Sequence, residues 1–393
     1  MRIWPRFFSV LGLLLCCLLL ASCGSNSSTG NVAEIKIEGG IGPAMADYVD
    51  QSIKQANAAG DQFIILAVDT PGGLVSSTER IIKSIQASDV PVIGFVAPAG
   101  AGAASAGTFI MYACPYAVMA PSTNIGSASP VSLTSSSEGK VSANEETAKK
   151  KMLNFLVAKI QGLAETNGRN EEWAKKAVTD ADNITAKKAL ELNVINAIAQ
   201  DNSDLLNKLA GVSIKVKGKS IGIDTSNVKI YQIEPNWRMR FLMVITNPNV
   251  TYILLMIGLL GLGIELFSPG LIFPGVLGLI SLLTAGYAFQ LLPVNYVGVG
   301  LIALGVGFFV AEVFVSSFGA LAVGGVIATS IGSVMLVQSD LPGFGVSWVM
   351  TVSVAVVLIL LVLALVFLIA IKAGFEIWCD PTIRVGHEKM RVI

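Results

Sequence analysis

Histidine is almost missing: His387 is the single imidazole in 393 residues. It lies past the last long apolar run, so neither a Ser-His-Asp triad nor a histidine metal centre can be built around the rest of the chain. Cysteine is scarce too. Of five, Cys16 and Cys17 sit in an N-terminal apolar run and Cys23 at its end, while Cys114 and Cys379 stand alone; no disulfide framework and no metal cluster is readable. Cys114 reads as a small buried residue. Charge is missing from one long region, because between residues 241 and 371 only Glu265, Glu312 and Asp340 are charged, far fewer than a soluble domain of that size carries. The formal net charge is zero and no long run of like charge exists, which argues against a nucleic-acid role.

What is present falls into two halves. Residues 31–237 carry acidic and basic side chains in near balance, as a water-soluble domain does, and residues 241–371 read as membrane. Ahead of both, Arg2 and Arg6 precede an apolar stretch and then Leu20-Ala21-Ser22-Cys23, the layout of a secretory signal over residues 1–23. Cys23 ends it as in a bacterial lipobox. A lipidated cysteine, a plain signal and an uncleaved anchor all share this shape, and each puts the following domain outside the cytoplasm.

Within the soluble half, residues 32–37 alternate as a strand and 44–58 have helical spacing. Residues 63–68 form a continuous apolar run ending in Asp69-Thr70-Pro71-Gly72-Gly73, a buried strand running into a tight turn. A helix over 77–86 and a strand over 90–96 follow. The next loop carries Gly102-Ala103-Ala104-Ser105-Ala106-Gly107, with Ser105 opening a helix to 113. This alternation predicts a mostly parallel α/β core whose functional groups sit on loops past the strand ends. Beyond a Ser/Gly-rich loop at 131–140, helices are expected over 143–165, 171–178 and 186–192, then a short alternating β segment at 213–233.

The apolar half divides into about five spans, 250–267, 271–292, 297–315, 321–337 and 346–371, each long enough for a hydrocarbon core of ~30 Å. Lys372, Arg384, Lys389 and Arg391 follow the last one. The positive-inside rule therefore puts the tail, residues 372–393, in the cytoplasm, in agreement with an exported first domain. An internal repeat runs through this half: residues 258–281 resemble 305–328, with Glu265 and Glu312 in matching positions. A carboxylate in a span points by default to ion or proton handling; near a span end, as here, anchoring or capping of a bend is the plainer role.

Ser105 is the candidate nucleophile. A glycine turn at a strand end, facing the first turn of a helix that begins at a serine, can form an oxyanion hole from backbone N–H groups. Gly73 and Ala106 are the candidate donors. With no imidazole in reach, the base must be a lysine. A free lysine is neutral only about once in 2,500 molecules at pH 7, so such a base needs its pKa lowered by roughly 3 units through burial or a helix N-terminus. Lys149, Lys150 and Lys151, early in the 143–165 helix, are the candidates. Helical spacing favours Lys149, on one face with Leu153, Leu156 and Leu163; a triple-lysine run is also the pattern of a solvated helix face.

The Asp69-Thr70-Pro71-Gly72-Gly73 turn, the loop around Ser105, Met119-Ala120-Pro121-Ser122-Thr123-Asn124-Ile125-Gly126 and Gly168-Arg169-Asn170 come in an order that resembles the long-form NfeD membrane-bound serine proteases, relatives of ClpP and signal peptide peptidase A. The resemblance runs over residues 31–372. It implies an α/β ClpP/crotonase-like spiral fold followed by an all-α polytopic membrane domain. It implies Ser105 as nucleophile, Gly73 and Ala106 as oxyanion donors, and Lys151 rather than Lys149 as base, because Lys151, Asn154, Ala158, Ile160 and the Gly168-Arg169-Asn170 turn fit the family pattern. It further implies a polypeptide substrate with no cofactor or metal, a stomatin-like membrane partner, a homo-dimer or larger assembly, and a bacterial inner membrane. One departure stands out: the OB-like barrel that usually follows the spans is absent, and only a short tail follows residue 371. Two other classes share parts of this site. A crotonase-like acyl-thioester enzyme would use the same oxyanion hole, and an inactive scaffold of a membrane complex would use none of it.

Overall fold

The computed structural model describes residues 30–130, 143–267, 272–292, 294–315, 319–336, 346–357 and 359–360. The signal-like segment, the 131–140 loop, the turns at 293 and 340, the end of the last apolar run and the basic tail lie outside them.

The first elements alternate as the apolar runs require: β1 (Gly30–Glu38), α1 (Pro43–Ala59), β2 (Phe63–Asp69), α2 (Val75–Ala87) and β3 (Val92–Val96). Next come β4 (Gly102–Ala104), α3 (Ala106–Ala113), β5 (Tyr116–Met119), β6 (Asn124–Gly126), α4 (Ala143–Thr166) and α5 (Glu171–Thr179). β7 (Asn183–Thr185), α6 (Ala186–Glu191), β8 (Ala197–Ile198), α7 (Asn202–Leu209), β9 (Ser213–Val216), β10 (Lys219–Gly222) and β11 (Val228–Gln232) complete the soluble half. The main sheet has the order β11-β1-β2-β3-β5-β8, and every neighbouring pair in it is parallel. Parallel strands must be covered on both faces, and the side chains divide accordingly. Ile35, Ile37, Leu66 and Val68 meet Ile53 of α1, Ile81 of α2 and Ile110 of α3, whereas Val32, Phe63, Ile65, Ile93 and Phe95 meet Leu205 and Leu209 of α7 and Ile214 of β9. A small second sheet, β4-β6-β7, stands beside the carboxyl ends of the main strands. It is joined to the main one where Thr70 bridges Ala103.

In the apolar half, α8 (Trp237–Ile245) leads to α9 (Pro248–Phe267), α10 (Ile272–Leu291), α11 (Tyr296–Phe314) and α12 (Ala320–Leu336). Two stretches, Pro248–Glu265 and Ile272–Leu291, are long and apolar enough to cross a membrane; Tyr296–Glu312, Ala320–Leu336 and Trp348–Val357 are apolar but shorter. The sequence repeat becomes two helical hairpins, α9 with α10 and α11 with α12. Small residues set their closeness. A Cβ at Gly278 would lie 2.8 Å from the Leu262 nitrogen and 3.0 Å from the Gly258 carbonyl oxygen, and one at the matching Gly325 would lie 2.9 Å from the Gly305 oxygen. Close backbone approach of this kind is what holds apolar helices together without a hydrophobic driving force between them. Gly278→Leu should therefore force α9 and α10 apart, at a cost of about 1–3 kcal/mol, visible as a lower midpoint in thermal unfolding of the detergent-solubilised protein.

The paired glutamates differ. Glu312 caps a bend: its two carboxylate oxygens accept the N–H groups of Gly319 (2.8 Å) and Ala322 (3.0 Å) at the start of α12, where a negative charge meets the positive helix end. Glu265 packs against the first turn of α10, close enough that a Cβ at Gly275 would lie 2.7 Å from its Cγ. One of its oxygens is buried without a hydrogen-bond partner among the described residues. Pro274, which has no N–H to offer, stands in that turn.

Candidate active site

Ser105 sits between β4 and α3, and its backbone is strained, with φ 51° and ψ −112°. For a residue with a Cβ such torsions cost about 1–3 kcal/mol and persist only where the surroundings impose them. Here they do. The Ser105 N–H donates to the Gly126 carbonyl at 2.9 Å and the Thr108 N–H donates to the Ser105 carbonyl at 3.0 Å. Thr108 is fully buried beneath the turn; its Oγ1 lies 2.9 Å from both the Ala103 and Gly126 carbonyl oxygens and accepts the Gly126 N–H at 3.1 Å. One hydroxyl thus ties β4, β6 and α3 together under the serine, which remains partly exposed. A Thr108→Val change keeps the shape but removes the hydroxyl's bonds to these strands, and should cost about 0.5–1.5 kcal/mol, measured by thermal unfolding of the purified protein. Sequence reading missed this residue; its only signal was a lone hydroxyl in an apolar helix.

The glycine turn is stitched to the same strand. Thr70 N–H donates to the Gly102 carbonyl (2.7 Å), Ala104 N–H donates to the Thr70 carbonyl (3.0 Å), and the Asp69 carboxylate accepts the Gly102 N–H (3.0 Å). Further along, Ile41 N–H donates to Gly72 and Leu74 N–H donates to Ile41, both at 2.9 Å. In a parallel bridge these bonds flank Gly73, so the Gly73 N–H points away from Ile41. A side chain cannot fit there, since a Cβ on Gly73 would lie 2.3 Å from the Ile41 carbonyl oxygen. The turn also leans on α3, because a Cβ at Gly107 would meet the Thr70 methyl at 2.8 Å. Ala106 is the first residue of α3, and the first N–H groups of a helix have no acceptor within it. Ser105, the Ala106 N–H and the turn bearing Gly73 are thus held in one hydrogen-bonded unit at the positive end of a buried helix.

The lysines are placed differently. α4 buries Leu156, Ile160, Leu163 and Ala164 in the same core as Phe109, Met111 and Tyr112 of α3. Its far end is locked to the far end of α3: Asn167 donates to the Tyr112 carbonyl (2.8 Å), and Arg169 donates to the carbonyls of Met111 (2.5 Å) and Cys114 (2.6 Å). At a helical rise of 1.5 Å per residue, Lys151 lies roughly 24 Å from Asn167, about twice the length of α3. Residues 146–152 of α4 meet solvent, and both Lys149 and Lys151 are exposed. Neither has a hydrogen bond or ion pair to Ser105 among the described residues. The Gly168-Arg169-Asn170 turn plays a structural part, with Arg169 capping the C-terminus of α3 and Asn170 capping α5 through the Trp173 N–H (2.8 Å). Burial pulls the Arg169 guanidinium down to about 10, still charged at neutral pH, and pushes the Cys114 thiol up to about 12, which leaves it inert. Among the described residues no group of three or more His, Cys, Asp or Glu could hold a metal ion.

An α/β domain with a serine at a strained helix start, carried on apolar helical hairpins, is the build of a membrane-bound protease. Residues 31–217 match the family described as NfeD1b, N-terminal domain, and residues 249–370 match the NfeD integral membrane domain. The chain is 34% identical over 327 residues to membrane-bound protease PH1510 of Pyrococcus horikoshii, an alignment covering 82% of this chain and 73% of that protein. It is 28% identical over 338 residues to membrane protein NfeD1b of Bacillus subtilis, covering 82% and 71%. A solved serine mutant of the 1510-N membrane-bound stomatin-specific protease superposes with a TM-score of 0.50 at 32% identity, over 53% of this chain and 100% of that one. The chain belongs to the NfeD family, alongside its membrane-bound proteases.

Proposed function

We propose that the chain is a membrane-bound serine endopeptidase using a Ser105–Lys151 dyad outside the cytoplasm. The observation that carries this reading is the strained Ser105 at the head of α3, beside the Ala106 N–H and a turn that presents Gly73. Lys151, as the neutral amine, takes the hydroxyl proton while Ser105 Oγ attacks the peptide carbonyl. The carbonyl electrons move onto oxygen, where the Gly73 and Ala106 N–H groups hold them. On collapse the C–N bond breaks and the lysine gives its proton to the leaving amine; water, deprotonated by the same lysine, then cleaves the ester and restores Ser105. No cofactor or metal enters these steps.

Residues 31–237 are read as the protease domain after a signal at 1–23, and 241–371 as five spans in a bacterial inner membrane, with the 372–393 tail in the cytoplasm. The small apolar surroundings of Ser105 suit an extended apolar segment. Since the 1510-N relative is named as stomatin-specific, a stomatin-like membrane protein is the proposed substrate or partner. A homo-dimer or larger assembly is part of the same reading, and Met152 and Phe155, 44% and 49% exposed beside Lys151, offer it an apolar contact face.

The test uses the full-length protein in nanodiscs, a fluorophosphonate probe and a panel of apolar peptides. Lys151→Ala should lower cleavage by at least about 100-fold and Lys149→Ala should leave it near wild type; the reverse result moves the base to Lys149. The exposure of Lys151 favours one second reading, a non-catalytic scaffold, under which the wild-type protein neither takes the label at Ser105 nor cleaves any peptide.

A further inference from the structure

Helix α8 joins the soluble half to the first apolar hairpin, and its two sides differ. One side is docked: Met239 is buried in the α/β core together with the preceding Ile233, whose carbonyl accepts the Tyr48 hydroxyl of α1 at 2.5 Å. Asn236 caps the helix through the Met239 N–H at 2.9 Å. The other side is bare. Trp237, Phe241 and Val244 are 79%, 50% and 52% exposed, and their spacing of four and three residues aligns them in one apolar ridge. Arg238 and Arg240, both exposed, fall on opposite flanks of that ridge. Arg238 has no hydrogen bond or ion pair among the described residues, and Arg240 meets Glu234 at 3.3 Å with both side chains well over half exposed, a weak pair that a stronger anion can displace.

We propose that this ridge is a lipid-contact site lying in the headgroup region of the bilayer that the chain spans, with the aromatic rings at the glycerol level and the two guanidinium groups on phospholipid phosphates. Position argues for this occupant over a protein. Only Thr246 and Asn247 separate α8 from α9, whose Pro248–Glu265 stretch is long and apolar enough to cross the membrane, so the Val244 end of the ridge stands about one helical turn of chain from the start of that stretch. Composition agrees, since tryptophan and phenylalanine flanked by arginine are what an interfacial helix needs. Long basic side chains can reach outward to phosphates while their stems cover apolar surface.

The attachment has a consequence for the site. α8 is clamped to α1 through Tyr48, and α1 starts at Pro43, next to the Ile41 that pairs with Gly73. A ridge anchored in the interface therefore fixes the height and tilt of the Ser105 face above the bilayer.

The experiment compares full-length wild type with Trp237→Phe in nanodiscs whose lipids are brominated either high in the acyl chain or near its end. The difference emission, which reports Trp237, should lose most of its intensity with bromine high in the chain, lose less with bromine near the end, and resist aqueous iodide. In the Trp237→Phe background, Phe241→Trp moves the reporter one turn along the ridge and should show the same order. Quenching of both reporters by iodide but by neither lipid would put the ridge in water and overturn the proposal. Protection from lipid bromine and iodide alike would overturn it too, by placing the ridge against a second copy or another protein.

Discussion

Ser105→Ala should lower peptide cleavage by at least about a thousandfold and abolish fluorophosphonate labelling, with little change in the unfolding midpoint. The reason lies in which property of the residue each readout senses. Alanine removes Oγ, which has no hydrogen-bond partner within the protein among the described residues, but it keeps the Cβ and so keeps the strained backbone at φ 51°. Ser105→Gly separates the two properties, since glycine adopts such torsions freely. It should be equally inactive yet more stable, by about 1 kcal/mol once the relieved strain is offset by the extra freedom of glycine in the unfolded chain. Labelling that persists in Ser105→Ala would move the nucleophile elsewhere. A glycine variant no more stable than the alanine one would mean that the strain stored in the turn is no larger than that offset.

Gly73→Ala should cost about 10²–10³ in kcat for peptide cleavage, with a smaller change in KM. The added methyl would lie 2.3 Å from the Ile41 carbonyl oxygen and 2.6 Å from the Ile41 Cα, and these are backbone atoms that cannot swing aside. The bridge between the turn and residue 41 must open, and the Gly73 N–H leaves its direction. Because an oxyanion donor acts on charge that develops during the reaction, its loss appears in kcat more than in binding. Circular dichroism separates local from global damage. A folded variant with nearly unchanged kcat would show that the oxyanion is held by other groups.

Much of the soluble half was readable because its signals are local. The apolar runs at 63–68 and 90–96 became β2 and β3, the helix expected to open at Ser105 runs over Ala106–Ala113, and the glycine turn after Asp69 lies beside it. The internal repeat was also legible, and it became two hairpins with matching close contacts. Contacts set by distance along the chain were not. β11 was expected only as part of a short β segment, yet it pairs in parallel with β1, Val228 beside Gly30, and no periodicity announces a partner so remote. α8 and the β4-β6-β7 sheet were missed for the same reason. Helical spacing pointed to Lys149 as base and family resemblance to Lys151, but both are exposed, and the face that Leu153 and Leu156 pack on the core does not extend to Lys149 among the described residues.

By itself the sequence determined the division into a charged and an apolar half, the alternation of strands and helices, the serine at a helix start, and the lack of any imidazole to serve it. These follow from composition and from periods of two and 3.6 residues, which a chain carries whatever its neighbours are. Tertiary structure alone decided that Ser105 is strained, that Thr108 holds it so, that the Gly73 N–H is turned away from Ile41, and that Arg169 acts as a clamp rather than a reagent. Each of those depends on carbonyls brought in from distant strands and helices, and backbone direction at a turn is set by the partners that accept its hydrogen bonds.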